Sequence, residues 1–415
     1  MENRAVAIVV GGGPAPGING VISAATIEAI NRGHKVYGIM HGFSEIMQGN
    51  NHNVRELQIS DVSRIPREGG SILCTSRANP TRNQEHLDNV VRVLTELNVG
   101  YLVTIGGDDT ASSAKAVADA AGGRISVAHV PKTIDNDLPL PHGDCTFGYH
   151  TAREVGTIIV ETLQTDAKAT GKRWYMVIAM GRTAGHLALG IGVAAGAAVT
   201  LIPEEFHEKT IPLQKLTDLI VGSILKRLVA GKNFGVAVVA EGIVEKINPD
   251  TIPDISAVER DPHGHIRYAE LAFGRMLRES VAKRLKQFNC SITVVDKDVG
   301  YELRCARPIA FDREYTQQLG YGAVEFLLNG GSHAMMSRQG RELVPIAFAD
   351  IADPKTGRTR VRHVDVHTET YKVAGKYMIR LTKENLADDA FMLKLSQITL
   401  WDVDKLREEL VDAVK

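Results

Sequence analysis

A recurring unit constrains the fold of this chain most. It is a short unbroken apolar run, then a loop rich in glycine or aspartate, then a stretch with helical spacing. Ala5–Val10 is the first run, and Gly11-Gly12-Gly13-Pro14-Ala15-Pro16-Gly17 follows it. Ile18–Ile30 then repeats its apolar residues at helical intervals, with Asn19 the expected cap. Lys35–Met40 reads as the next strand, Tyr101–Ile105 as a strand, Ala111–Ala121 as a helix and Ser126–Val130 as a strand. A strand apolar at every position is buried on both faces. Alternation with helices therefore predicts a parallel sheet covered on both sides. In such sheets ligands sit beyond the carboxyl ends of the strands, and the glycine and aspartate loops all fall there.

A second block with the same grammar starts near Phe147. It predicts a helix over Thr151–Ala169 and a strand over Trp174–Ala179, which leads into Met180-Gly181-Arg182-Thr183. Ala197–Ile202 is strand-like and ends in Pro203-Glu204-Glu205. Ile211–Ala230 reads as a helix, Gly235–Ala240 as a strand ending in Glu241-Gly242, Ala269–Gln287 as a helix and Ser291–Val295 as a strand. The expected class is α/β, with two three-layer α/β units of mostly parallel sheet, over 1–146 and 147–304. The chain is expected to return to the first unit within about 305–370. Arg313–Leu328 predicts a helix, Ala390–Val414 predicts a terminal helix, and 371–415 is expected to form a C-terminal helical extension.

Composition narrows the function classes. The 415 residues are enough for two or three domains. With 48 basic and 49 acidic side chains the net charge is -1, so the chain is not built for non-specific nucleic-acid binding. No apolar run is long enough to span a bilayer, and the N-terminus lacks the pattern of a secretory signal. Cys74, Cys145, Cys290 and Cys305 are scattered, which suggests neither a zinc site nor a disulfide framework. A soluble cytoplasmic protein is the expectation. No short-period repeat or low-complexity tract interrupts the chain.

The first glycine loop is compatible with a phosphate cradle or with an ordinary strand-to-helix turn. It is neither a Walker A loop, since Ile18-Asn19 follow Gly17, nor a Rossmann fingerprint, since Pro14 and Pro16 break the spacing. Gly106-Gly107-Asp108-Asp109-Thr110 places adjacent carboxylates after a sharp turn. That costs energy in a partly buried loop unless a cation or hydrogen bonds compensate; the bland alternative is a solvated helix start. Pro131-Lys132-Thr133-Ile134-Asp135-Asn136-Asp137 follows a buried strand. A carboxylate there can act as general base on a hydroxyl, whereas an Asx-turn set that only shapes the loop leaves Lys132 unexplained. Arg77, after Gly69-Gly70, can bridge phosphoryl oxygens or lie on the surface. His363-Val364-Asp365-Val366-His367 alternates as on a half-exposed strand, and lacks a further nearby ligand for a metal.

The ordered set resembles the phosphofructokinases: Gly12 to Asn19, Gly106–Thr110, Pro131–Asp137, Met180-Gly181-Arg182, Glu241-Gly242 and Gly300-Tyr301-Glu302-Leu303-Arg304. The resemblance covers roughly residues 5 to 330. It implies that the two units face a central cleft. The first would bind the phosphoryl donor and Mg²⁺, the second fructose 6-phosphate. Gly12, Gly13 and Gly107 would contact the donor, Asp108 would act through Mg²⁺, Asp135 would accept the proton of the sugar 1-hydroxyl, and Arg77 would touch the transferring phosphoryl group. Thr133, Ile134, Asp135, Met180, Gly181, Arg182, Glu241, Tyr301 and Arg304 would line the sugar-phosphate site. Arg173 would reach the sugar phosphate of a neighbouring subunit, which implies a homodimer or homotetramer.

The resemblance also bears on the donor. ATP-dependent members typically have glycine at the position of Asp109, and pyrophosphate-dependent members have aspartate there and lysine at Lys132. Asp109 would stand where the α-phosphate of ATP must lie, and Lys132 would stabilise the transferring phosphate. The implied reaction joins fructose 6-phosphate and diphosphate, reversibly, with polyphosphate an open second donor. Pro14, Thr183 and Tyr301 depart from the bacterial ATP pattern and fit the longer, mixed-donor branch. An ATP-dependent phosphofructokinase is the nearest alternative. An NAD or lipid kinase and a non-catalytic sugar-phosphate sensor fit the motifs less well.

Overall fold

A computed structural model describes residues 4–252, 272–355 and 359–414. Its strands, in chain order, are β1 (Ala5–Val10), β2 (Val36–Ile39), β3 (Val54–Glu56), β4 (Val99–Gly106), β5 (Ser126–Pro131), β6 (Arg173–Ala179), β7 (Val199–Leu201), β8 (Gly235–Ala240), β9 (Thr293–Val299), β10 (Ala334–Gln339) and β11 (Glu342–Ala347). They form two sheets, and the chain divides into two compact units. One holds residues 4–152 and 301–362, the other 153–300 and 363–414.

The first unit is a sheet ordered β11-β10-β5-β4-β1-β2-β3. Its central strands are parallel; β3 and β11 close the edges antiparallel. The unbroken apolar runs are explained by alternation between two cores. Val6, Ile8, Val103, Ile105 and Val130 face the helices Ile18–Asn31 and Ala310–Leu328. Ala7, Val9, Leu102, Val127 and Met335 face the helices Gln84–Glu96 and Asp108–Ala121. Every residue of β1 is therefore buried on one side or the other.

The second unit carries the parallel sheet β7-β8-β6-β9. The helix Leu213–Val229 starts after Pro212 rather than at Ile211, which instead bridges to Ile247. Of the expected helix Ala269–Gln287, Phe273–Gln287 is observed and 269–271 lie outside the described residues. The C-terminal helices belong to this unit. Arg284 joins Asp218 (2.9 Å) on one helix to Glu409 (2.9 Å) on another.

Three expectations need correction. Asn19 does not cap the first helix; Gly17 does, with φ 103°. Asn19 is buried in the first turn, where its Oδ1 accepts from Ile72 N at 2.9 Å. The single terminal helix is broken, because Leu400 adopts φ 60° and separates Asp389–Thr399 from Val403–Glu409. His363–His367 joins no ladder; His363 Nδ1 lies 3.7 Å from Glu204 Oε1, and Val364 N donates to the same oxygen.

Candidate active site

In the first unit the carboxyl ends of β1, β4 and β5 bring three loops together. Gly11 bridges to Ser76, Gly12 N donates to Ser76 O at 2.8 Å, and Gly11 N donates to Ile105 O at 2.9 Å. Gly12 has φ 81°, a left-handed conformation that a side chain would strain. A Cβ on Gly12 would lie 3.2 Å from Lys132 Nζ, and one on Gly13 3.5 Å from Arg304 Cζ. Two cations therefore stand over this loop. Lys132 Nζ donates to Gly13 O at 2.5 Å. Arg77, next to Ser76, is exposed.

β4 ends at Gly106, and Gly107 caps the helix Asp108–Ala121. Asp108 and Asp109 occupy its first turn, where carboxylates are favoured by the helix dipole. Asp108 is half-buried and Asp109 exposed. The electrostatic cost expected of paired carboxylates in a buried loop is thus avoided for Asp109, which water solvates.

The third loop follows β5. Lys132 is 5% exposed, and its N–H donates to Gly106 O at 2.8 Å. Burial lowers the Lys132 ammonium to about 8; Asp135 opposes that shift, Arg304 adds to it, and Asp137 and Asp108 oppose it more weakly. One ammonium thus lies within electrostatic reach of Asp108, Asp135, Asp137 and Arg304. The loop is rigidly tied: Asp135 N donates to Thr133 Oγ1 at 3.0 Å, Thr146 Oγ1 to Thr133 O at 2.7 Å, and Thr146 N to Asn136 Oδ1 at 3.1 Å. Asn136 adopts φ 56° between the two buried aspartates. Ile134 is buried, so it offers a ligand backbone rather than side chain.

In the second unit Ala179 and Ala240 are register partners, so Met180-Gly181-Arg182 and Glu241 leave adjacent strand ends. A Cβ on Gly242 would fall 2.1 Å from Arg182 O, which shows how closely the two loops pack. Arg182 is exposed with φ 47°. Arg173 is not part of this group. It opens β6, about 20 Å from the strand's far end at about 3.3 Å per residue, and pairs with Asp166 at 2.6 Å. Tyr301 and Arg304 cluster with the first unit, the guanidinium 5.1 Å above the ring.

A profile of the phosphofructokinase family matches residues 5–327. The chain belongs to that family. A Naegleria fowleri protein named pyrophosphate–fructose 6-phosphate 1-phosphotransferase is 53% identical over 387 residues, covering 91% of this chain and 88% of its own. A Thermotoga maritima protein of the same name is 53% identical over 386 residues and 92% of each chain. The crystal structure of a pyrophosphate-dependent phosphofructokinase from Nitrosospira multiformis shares the fold, with a TM-score of 0.69, 19% identity, 96% of this chain and 92% of the other.

Among the described residues no three His, Cys, Asp or Glu side chains form a metal cage. Mg²⁺ is a hard cation that keeps several waters and takes one or two carboxylates plus substrate phosphate oxygens. The half-buried Asp108 is the carboxylate at this strand end that would hold a divalent cation.

Four residues of this phosphofructokinase escaped the sequence reading. Thr104 and His129 sit beneath the Gly106 turn; the only signal was a polar pair in otherwise apolar strands. Arg362 holds the Asp135 loop, and nothing in its sequence context marked it. Asp312 accepts from Gly148 N at 2.9 Å and Thr151 N at 2.7 Å, capping the helix Tyr149–Thr170 from a distant segment.

Proposed function

We propose that this phosphofructokinase transfers a phosphoryl group from diphosphate to the 1-hydroxyl of fructose 6-phosphate. The products are fructose 1,6-bisphosphate and phosphate. The observation that carries the reading is the seat of Lys132. Its ammonium bonds to the first glycine loop and lies within reach of Asp108, Asp135 and Arg304. A small, highly charged donor suits such a site, and the two relatives at 53% identity are named for this reaction.

In this reading the first unit binds the donor through Gly12, Gly13 and Gly107. Asp108 holds Mg²⁺, which when bound neutralises the donor's negative charge. Lys132 and Arg77 stabilise charge on the transferring phosphoryl oxygens. Asp135 takes the proton from the sugar hydroxyl as the new P–O bond forms and the bond to the leaving phosphate breaks. The residues proposed for the sugar phosphate are Thr133, Ile134, Tyr301 and Arg304 on the first unit and Met180, Gly181, Arg182 and Glu241 on the second, each unit taken by itself. Asp109 disfavours ATP by charge and size. Transfer between two phosphate compounds of similar potential runs readily in both directions.

Arg173 is the residue proposed to reach a neighbouring subunit, so the working form is a homodimer or homotetramer. A cytoplasmic setting is part of this reading; Cys74, Cys145, Cys290 and Cys305 form no disulfide with one another, and among the described residues no helix is long and apolar enough to cross a membrane.

Steady-state rates with diphosphate, polyphosphate and ATP at equal Mg²⁺ test the donor. The expected order places diphosphate first and ATP at background. Efficient turnover with ATP and none with diphosphate would sink the reading.

A further inference from the structure

Thr104 and His129 are register partners on the adjacent strands β4 and β5. Both are 0% exposed. By strand alternation they share the face of Leu102 and Val127, which the helix Asp108–Ala121 covers. The imidazole is fully engaged: Nδ1 lies 2.9 Å from Thr104 Oγ1 and Nε2 lies 3.0 Å from Gly106 O. A carbonyl only accepts, so Nε2–H donates to Gly106 and Nδ1 accepts from the Thr104 hydroxyl. Burial pushes the imidazolium down to about 3, so the ring is neutral at any working pH.

Strand pairing does not require this bond, because Gly106 O already accepts from Lys132 N at 2.8 Å. A buried polar pair is costly compared with two apolar side chains, so it must supply something else. What it supplies is direction. The peptide is planar and trans, so a carbonyl and the N–H that follows it point opposite ways. With two donors drawing Gly106 O toward the sheet, the Gly107 N–H is turned the other way, at the N-terminus of the helix Asp108–Ala121. Gly106 and Gly107 have no side chains with which to fix that plane themselves.

We propose that the Thr104–His129 pair is a positioning device that aims the Gly107 N–H at an oxygen of the phosphoryl donor. This rests on the diphosphate reading above. Neither residue touches substrate; both act through the Gly106–Gly107 peptide.

The test is the split between two Michaelis constants. His129→Leu is expected to raise KM for diphosphate about tenfold or more, with KM for fructose 6-phosphate within about twofold of wild type. His129→Gln, whose amide can still donate to Gly106 O, is expected to recover most of the loss. Diphosphate binding measured by calorimetry without sugar should weaken in parallel. If both constants rise together, if only the melting temperature falls, or if Gln rescues no better than Leu, the proposal is overturned. Should His129→Leu fail to fold, the near-isosteric Thr104→Val takes its place. There an unchanged KM for diphosphate overturns the proposal. Wild-type protein that turned over ATP but not diphosphate would instead refute the donor assignment, and the same split would then be read on KM for ATP.

Discussion

Arg362 holds Asn136 by both its backbone and its side chain, although 226 positions separate them in the chain. Nη2 donates to Asn136 O at 3.0 Å and to Oδ1 at 2.5 Å, Nε donates to the same carbonyl at 3.2 Å, and Nη1 reaches Asp144 O at 2.7 Å. The Arg362 N–H adds a bond to Asp137 O at 2.7 Å. Asn136 is the left-handed residue between Asp135 and Asp137, so this clamp fixes where both carboxylates point.

Arg362→Met should therefore impair chemistry more than binding. It removes the donors to buried carbonyls, each worth about 1–3 kcal/mol when left unpaired. It also frees the loop that carries the proposed base. A displacement of about 1 Å at a catalytic group costs about 10²-fold in rate, so kcat is expected to fall about 100-fold while the protein remains folded by circular dichroism. A variant with wild-type kcat would show that the clamp is dispensable to Asp135.

In the proposed function Lys132 sets a pH limit on donor capture. With its ammonium held at about 8 in the free protein, most of it is charged at pH 7 and little above pH 9. Bound diphosphate favours the charged form and raises that value. Expected results are a kcat/KM for diphosphate that declines above about pH 8 and a kcat that stays flatter, since the two report on free and bound enzyme respectively. Lys132→Arg keeps its charge throughout and should lose the alkaline decline, whatever its absolute rate. An unchanged decline in that variant would assign it to another group.

The fold was legible wherever burial alone decided it. Ala5–Val10, Gly235–Ala240 and their like must be central strands, because no other element buries six consecutive apolar residues so simply. The candidate site was legible in the loops at their ends, where a glycine run, paired carboxylates and a lysine follow buried strands. What escaped depends on distant partners. Asn19 looked like a cap because its type favours caps, but Gly17 already supplies the left-handed turn and Asn19 is used to hold Ile72. Ala334–Gln339 and Glu342–Ala347 pass unnoticed because Ser337, Arg338 and Glu342 interrupt the apolar pattern at a sheet edge. Arg362 is one arginine among many until the structure shows what it holds.

Glu205 and Arg380 make a stability prediction for the second unit. Arg380 Nη1 and Nη2 meet the Glu205 carboxylate at 2.9 and 2.6 Å, Nη2 also reaches Thr200 O at 2.6 Å, and the Tyr371 hydroxyl donates to Glu205. The two charged side chains are 1% and 10% exposed. Burial first, then the neighbouring Glu205 charge, raises the Tyr371 hydroxyl well above its ordinary range. Glu205→Gln would strand a buried guanidinium, a change that costs about 3–5 kcal/mol. The melting temperature of that unit should fall by roughly 6–20 °C at about 2–4 °C per kcal/mol. Replacing both partners, as in Glu205→Leu with Arg380→Met, should recover much of the loss. If Glu205→Gln melts within about 2 °C of wild type, the ion pair is not what fastens Tyr371 and Arg380 to β7.

In the proposed function Asp109 is the residue that excludes ATP. Its carboxylate is exposed on the first turn of a helix whose N-terminus faces the glycine loops' end of the sheet. Two unit charges about 5 Å apart repel by about 1–3 kcal/mol at an effective dielectric between about 80 and 20. Exposure places Asp109 toward the weaker end, about 1–2 kcal/mol, so charge alone yields about a 5- to 30-fold penalty on a nucleotide phosphate. Asp109→Asn removes the charge and keeps the size; Asp109→Gly removes both. ATP turnover should rise in each, more in the glycine variant, while turnover with diphosphate falls only modestly. The helix itself loses about 0.3–1 kcal/mol of dipole stabilisation without the carboxylate, too little to unfold it. Comparing kcat/KM for ATP across wild type and both variants separates charge from size. Background ATP turnover in both would show that exclusion lies elsewhere in the site.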